Sequence, residues 1–210
     1  MSRFAPRLGP LLPLIVIAAM LAIPTAASSE ILLAGFYNQH NDPQTLYLVG
    51  SVDADHVTIR RIENPVGSGK FFYEIEDPDG VARFNSPPTG CFRRDANAIH
   101  CPVELVSGFN IQLAGGDDTL VNTTSVPTIA RGGPGNEILD GTADDILYGG
   151  AGRDKLIGQA GNDMLLGGPG NDKINGGAGN DIVDCGPGKH DVGVGGPGRD
   201  LGRRCEIVRH

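Results

Sequence analysis

The chain has 210 residues, with 25 acidic against 17 basic side chains, a net charge of −8, 32 glycines and no tryptophan. An acidic balance argues against nucleic acid and against an anionic membrane surface as partners. So few aromatic side chains, with glycine so abundant, argue against a large conventional core.

Residues 1–27 read as a secretory signal peptide. Arg3 and Arg7 make a basic start, Leu11 to Ile23 is apolar, and Thr25-Ala26-Ala27 supplies small residues for cleavage. The apolar run is shorter than the ~20 residues of a spanning helix and is broken by Pro13, with Pro24 just after it. Without Arg3 and Arg7 the balance is 15 basic to 25 acidic residues. No later segment is apolar enough to span a membrane, so the mature chain is expected outside the cell.

Residues 28–110 read as a β-rich N-terminal cap. Leu46 to Val49, Val57 to Arg60, Phe71 to Ile75 and Ile99 to Leu105 are strand-like. Asn64-Pro65, Gly67-Ser68-Gly69, Asp77-Pro78-Asp79-Gly80 and Pro87-Pro88-Thr89-Gly90 punctuate them. Phe71, Phe72, Tyr73 and Phe84 are expected to pack the cap. No His-Glu-x-x-His helix and no Gly-x-Ser-x-Gly elbow occurs. Asp42, Asp53, Asp55 and His56 read as solvated turn residues, so no catalytic residue is assigned. Four cysteines in an exported chain favour two disulfides, and proximity in sequence favours Cys91–Cys101 and Cys185–Cys205 among three possible pairings.

Residues 111–131 read as a degenerate turn, Ala114 to Leu120, followed by an insert from Asn122 to Arg131. Asn122-Thr123-Thr124 spells a glycosylation sequon, with meaning only in a eukaryotic secretory pathway. Residues 132–201 are dominated by a nine-residue period. From Gly149 the blocks are GGAGRDKLI, GQAGNDMLL, GGPGNDKIN and GGAGNDIVD. Glycine recurs at the first position (Gly149, Gly158, Gly167, Gly176) and at the fourth (Gly152, Gly161, Gly170, Gly179). Aspartate recurs at the sixth (Asp154, Asp163, Asp172, Asp181), and a bulky aliphatic at the eighth (Leu156, Leu165, Ile174, Val183). Six residues make a tight turn and three a short strand, whose central side chain points to one face.

Consecutive turns fall on opposite edges of such a coil, so turns two blocks apart stack. Asp154 then sits over Asp172, and Asp145 over Asp163 over Asp181. Stacked carboxylates repel unless a cation lies between them. An ion taking six to eight oxygens, two carboxylates plus turn carbonyls, fits calcium. Magnesium wants a tighter octahedron, and zinc wants the His or Cys that the repeating position lacks. The competing reading is a metal-free solenoid in which Asp serves turn chemistry alone. Flanking copies are degraded: Gly132 to Asp140 carries Glu137 at the ligand position, and Gly141 to Tyr148 is one residue short but keeps Asp145. Asp118, Asp191 and Asp200 lie in still weaker copies.

Residues 149–184 resemble the RTX (repeats-in-toxin, hemolysin-type) calcium-binding nonapeptide. The resemblance implies an all-β, right-handed parallel β-roll that binds several calcium ions in its turns. It implies ligation by Asp145, Asp154, Asp163, Asp172, Asp181 and Glu137 with the turn glycines. The whole layout, with Cys91, Cys101-Pro102 and Cys205-Glu206, is similar to small secreted actinobacterial proteins of this kind. Large RTX toxins leave by a dedicated exporter with an uncleaved C-terminal signal, so their activity and export route do not transfer. Residues 202–210 read as a disulfide-tethered tail. The expectation is a secreted, non-enzymatic calcium-binding protein, disordered in the repeat region without the ion. The alternatives are an adhesin or matrix module that uses the roll as a spacer toward a protein or glycan, and a hydrolase with its site in 28–110.

Overall fold

The computed structural model describes residues 32–37, 45–77, 90–205 and 207–209; the expected signal peptide, Asp42 and Phe84 lie outside them. The described chain is built of short strands joined by turns: β1 (Leu32–Tyr37), β2 (Thr45–Val49), β3 (His56–Glu63), β4 (Phe71–Glu76), β5 (Phe92–Arg93), β6 (Ala98–Pro102), β7 (Gly108–Gln112), β8 (Thr119–Asn122) and β9 (Thr128–Pro134). There follow β10 (Ile138–Asp140), β11 (Ile146–Ala151), β12 (Lys155–Ala160), β13 (Met164–Leu166), β14 (Lys173–Ala178), β15 (Ile182–Asp184), β16 (Val192–Val194), β17 (Leu201–Arg203) and β18 (Ile207–Arg209). Val103–Leu105 forms a short 3-10 turn where the sequence suggests continued strand.

From β7 onward, successive strands go to opposite sheets, so two strands and two turns make one coil. One sheet runs β1-β2-β7-β9-β11-β13-β15-β17, and the other β18-β16-β14-β12-β10-β8-β3-β4-β6-β5. Strands of neighbouring coils pair in parallel; β1 on β2 and the β4-β6-β5 extension beyond β3 are antiparallel. This is a parallel β-roll. Among the described residues no helix is long and apolar enough to cross a membrane.

The parallel stack reaches well above residue 132. β2 pairs with β7 and β3 with β8, so the first coil is formed by Thr45–Val49 and His56–Glu63. Residues 64–107 separate it from the next coil, and the antiparallel strands β4, β5 and β6 fall among them, which hides the period from sequence. The stretch Asn122 to Arg131 is likewise a coil corner running into β9, which pairs with β7 and β11. Partners are 18 residues apart at Ile146 and Met164, 17 at Ile129 and Ile146, and 19 at Ile182 and Leu201. The turns absorb the difference, so strand register survives the short and long blocks.

Alternation sends Leu139, Leu156 and Ile174 inward from one sheet and Leu147, Leu165 and Val183 from the other, all buried. Burying such a side chain stabilises by about 1.5–3 kcal/mol. Lys155 and Lys173 face outward and are exposed. Toward the N-terminus the core widens to hold Ile75, Ile99 and Tyr73, whose ring meets Phe109 edge-on at 5.8 Å. Phe71 does not pack inward: it is 37% exposed, with Arg61 over its ring. On the outer face of β4, buried Glu74 accepts from Arg60 and Arg94 at 2.5 Å and pairs with His100 at 2.9 Å. Desolvation pushes its carboxyl up, but hydrogen bonding with His100 and the Arg60 and Arg94 guanidiniums hold it below the usual value.

The disulfides are Cys91–Cys101 and Cys185–Cys205. The second does more than tether the tail. Gly193 pairs with Ile174, at a position that carries an aliphatic side chain in earlier coils, and a Cβ there would meet both sulfurs. The disulfide fills the end of the core in place of that side chain.

Candidate metal centre

The turns stack into two columns of carboxylates, one on each edge of the roll. One column holds Asp145, Asp163, Asp181 and Asp200. The backbone N–H of Asp145 donates to Asp163 Oδ1 (2.8 Å), that of Asp163 to Asp181 Oδ1 (2.9 Å), and that of Asp181 to Asp200 Oδ1 (3.0 Å). The other column holds Asp55, Asp118, Glu137, Asp154, Asp172 and Asp191. Its N–H donors run from Asp55 to Asp118 (2.8 Å), Glu137 to Asp154 (3.0 Å), Asp154 to Asp172 (2.9 Å) and Asp172 to Asp191 (2.8 Å). Each accepting aspartate thereby clamps the coil before it with one oxygen.

The second oxygen is left over. Oδ2 of Asp118, Asp154, Asp163, Asp172 and Asp181 and both carboxyl oxygens of Glu137 are buried without a hydrogen-bond partner. All six side chains are at most 2% exposed. An unsatisfied buried acceptor costs on the order of 1–3 kcal/mol, more when charged. Like charges about 5 Å apart add roughly 3 kcal/mol per pair at an effective dielectric of 20. Burial is the main reason the carboxyls are pushed up, to about 6 at Asp163 and Asp172 and about 7 at Asp145, with the stacked neighbours adding to it. Asp181 moves the same way, and Glu137 is pushed to about 9 by burial and by Asp154 beneath it.

The glycines explain how the oxygens come so close. A Cβ on Gly158 would strike both Asp163 Oδ2 and the carbonyl oxygen of Gly176; on Gly167 it would strike Asp172 Oδ2 and the carbonyl of Cys185. Gly149 and Gly176 likewise lie against the Oδ2 of Asp154 and Asp181. At the fourth position, Gly152, Gly161, Gly170 and Gly179 each lie against the carbonyl of the equivalent residue one coil earlier; at Gly152 φ is 148°. Carboxylate and carbonyl oxygens therefore share a small cradle with no donor between them. Among the described residues no three His, Cys, Asp or Glu side chains converge on one point. A cation here would draw most of its ligands from the main chain, which suits calcium and not zinc.

The family model for the RTX calcium-binding nonapeptide repeat (4 copies) matches residues 131–165, 141–174 and 157–189. The chain carries RTX repeats and is a calcium-binding β-roll protein. No curated protein and no solved structure matches it.

Three features escaped the sequence reading. Asp55 is not a solvated turn residue: it is fully buried at the head of a carboxylate column, in a turn from Gly50 to Asp55 that keeps the first and sixth positions. Only Gly50, Asp55 and Val57 signalled it. The fifth position forms its own ladder, running the opposite way: Asn180 N–H donates to Asn162 Oδ1 and Arg199 N–H to Asn180 Oδ1, each at 3.0 Å. The recurring Gly-Asn-Asp was its signal. Asn122 is buried and spends its side chain on Val126, Thr128 and Thr124, so it closes a corner and offers no glycan site. At the far end Asp191 occupies the column, while its neighbour His190 is exposed.

Proposed function

We propose that Asp145, Asp154, Asp163, Asp172, Asp181 and Glu137, with turn carbonyls, bind several calcium ions, and that the protein is secreted and completes its fold after export. The row of buried, partnerless carboxylate oxygens facing carbonyl oxygens carries this reading. Calcium supplies the positive charge that those oxygens need and that no protein donor offers. Asp154, Asp163, Asp172 and Asp181 hold the turns in register through Oδ1 and present an unpartnered Oδ2 to the cradle, while the first-position glycines leave it open; at Asp145, Oδ2 accepts the N–H of Ala143 (3.2 Å). Binding free energy is then folding free energy for the repeat region. The basic-apolar-small pattern of residues 1–27 and the two disulfides favour an extracellular site of action.

The test is a calcium titration of the oxidised protein, followed by far-UV circular dichroism and calorimetry. The expected result is a cooperative rise in β-signal with several ions bound, not reproduced by magnesium. A flat titration of an already folded protein overturns the reading.

A second reading, an adhesin or matrix module using the roll as a spacer, is favoured by Phe71 and Phe92, 37% and 42% exposed. Adsorption of the calcium-loaded protein to chitin, collagen or peptidoglycan particles checks it. Phe71→Ser with Phe92→Ser should abolish that adsorption, and undiminished adsorption by the variant sinks the idea.

A further inference from the structure

We infer that the chain holds a further calcium-class cation site between the turns 113–118 and 132–137, and that the ion ladder on this edge ends there. This rests on the calcium reading above. Asp118 lies outside the segment that matches the repeat family, and Glu137 replaces the repeating aspartate.

The site is defined by acceptors that have no donors. Asp118 and Glu137 are each 1% exposed. Asp118 Oδ2, Glu137 Oε1 and Glu137 Oε2 all lack a hydrogen-bond partner. A Cβ on Gly135 would strike both the carbonyl oxygen of Gly116 and Glu137 Oε1, so those two oxygens crowd one cradle. The physical cause is the extra methylene of glutamate. Every neighbouring aspartate in the column clamps an N–H of the preceding coil with one oxygen; the longer Glu137 accepts no such bond and carries its carboxylate to the Gly116 carbonyl. Asn136 still ties the two turns, donating to Asp117 Oδ1 from its N–H (2.9 Å) and its side chain (3.0 Å). The turns are thus held together while three carboxylate oxygens remain unsatisfied, one of them beside the Gly116 carbonyl oxygen. Two carboxylates plus main-chain oxygen is a donor set for a hard divalent ion of calcium size.

One coil earlier the same geometry needs no ion. Asp55 Oδ2 accepts the N–H of Ser51 (2.8 Å) and Oδ1 the Ser51 hydroxyl (3.3 Å), while Asp118 Oδ1 takes the Asp55 N–H (2.8 Å). Ser51 supplies from within the chain the donors that the later turns lack.

Calcium stoichiometry by calorimetry, on the oxidised full chain, tests this. Asp118→Asn is isosteric and keeps the Oδ1 acceptor for Asp55. It should bind one ion fewer than the unmodified protein, as should Glu137→Gln, and the double variant should also lose one and not two. Ser51→Ala should leave the count unchanged. Full stoichiometry in both Asp118→Asn and Glu137→Gln, while Asp163→Asn loses ions, overturns this site together with Glu137 as a ligand, and leaves the calcium reading at the aspartates standing. No uptake by the unmodified protein overturns both.

Discussion

Two turns of one shape, Gly50 to Asp55 and Gly158 to Asp163, are closed by different means. Both bring a buried aspartate against the first residue of their turn and both sit in a carboxylate column. In the first, Ser51 satisfies the carboxylate. In the second, Oδ2 has no partner in the protein. The corner at 122–127 follows the first pattern, with Asn122 donating to Val126 and Thr128 and accepting from Thr124. The roll's shape does not itself require an ion. Coils whose corners contain their own donors stand beside coils whose corners do not.

Calcium removal should separate the two regions most. Each site occupied at 100 times its Kd is worth ~2.7 kcal/mol, so a few sites rival the ~5–15 kcal/mol of a whole domain. After chelation, hydrogen exchange should become fast across 146–184 and stay slow across 45–63 and 108–122. Uniform loss of protection would show that the closed coils depend on the open ones.

Leu165→Ala removes a core side chain between two bound layers and should cost about 2–5 kcal/mol in calcium, measured by denaturant unfolding. Calcium stoichiometry should not change, since Leu165 is no ligand. Reducing Cys185–Cys205, which closes about 20 residues, should cost about 3 kcal/mol in the chain-entropy account. The loss should appear first in exchange at β15 and β16, because that disulfide also fills the core beside Gly193.

Asn122→Ala should cost about 1–3 kcal/mol by leaving Val126 and Thr124 groups unpaired, with calcium affinity unmoved; a large drop in affinity would break the proposed division of labour. The smallest effect is on pH. The folded carboxyls are pushed above their unfolded values, to about 6 at Asp163 and Asp172 and about 7 at Asp145. The folded state therefore binds more protons. In calcium-free solution the roll should gain stability as pH falls from above 7 toward about 4, where the unfolded carboxyls also protonate. In saturating calcium the trend should reverse, because protons then compete with the ion. Melting temperatures at pH 7.5 and pH 5, with and without calcium, give the signs directly.

The nine-residue period by itself determined the architecture of residues 132–184. A turn of six residues and a strand of three, repeated, leaves two edges and two thin sheets as its geometric outcome. Glycine and aspartate at fixed phases then place an oxygen cradle at each corner, because a Cβ would fill it. Tertiary structure alone decided the rest. Residues 64–107 separate the first coil from the second, so Asp55 and Asp118 are neighbours in space at 63 residues' separation, and no local period records that. Whether a given carboxylate is satisfied depends on one N–H or hydroxyl, such as Ser51, arriving from the same turn. The extra reach of Glu137 matters only because Gly116 is stacked above it. Periodicity is a local property and can be read along the chain; the pairing of donors with acceptors is settled only when the coils meet.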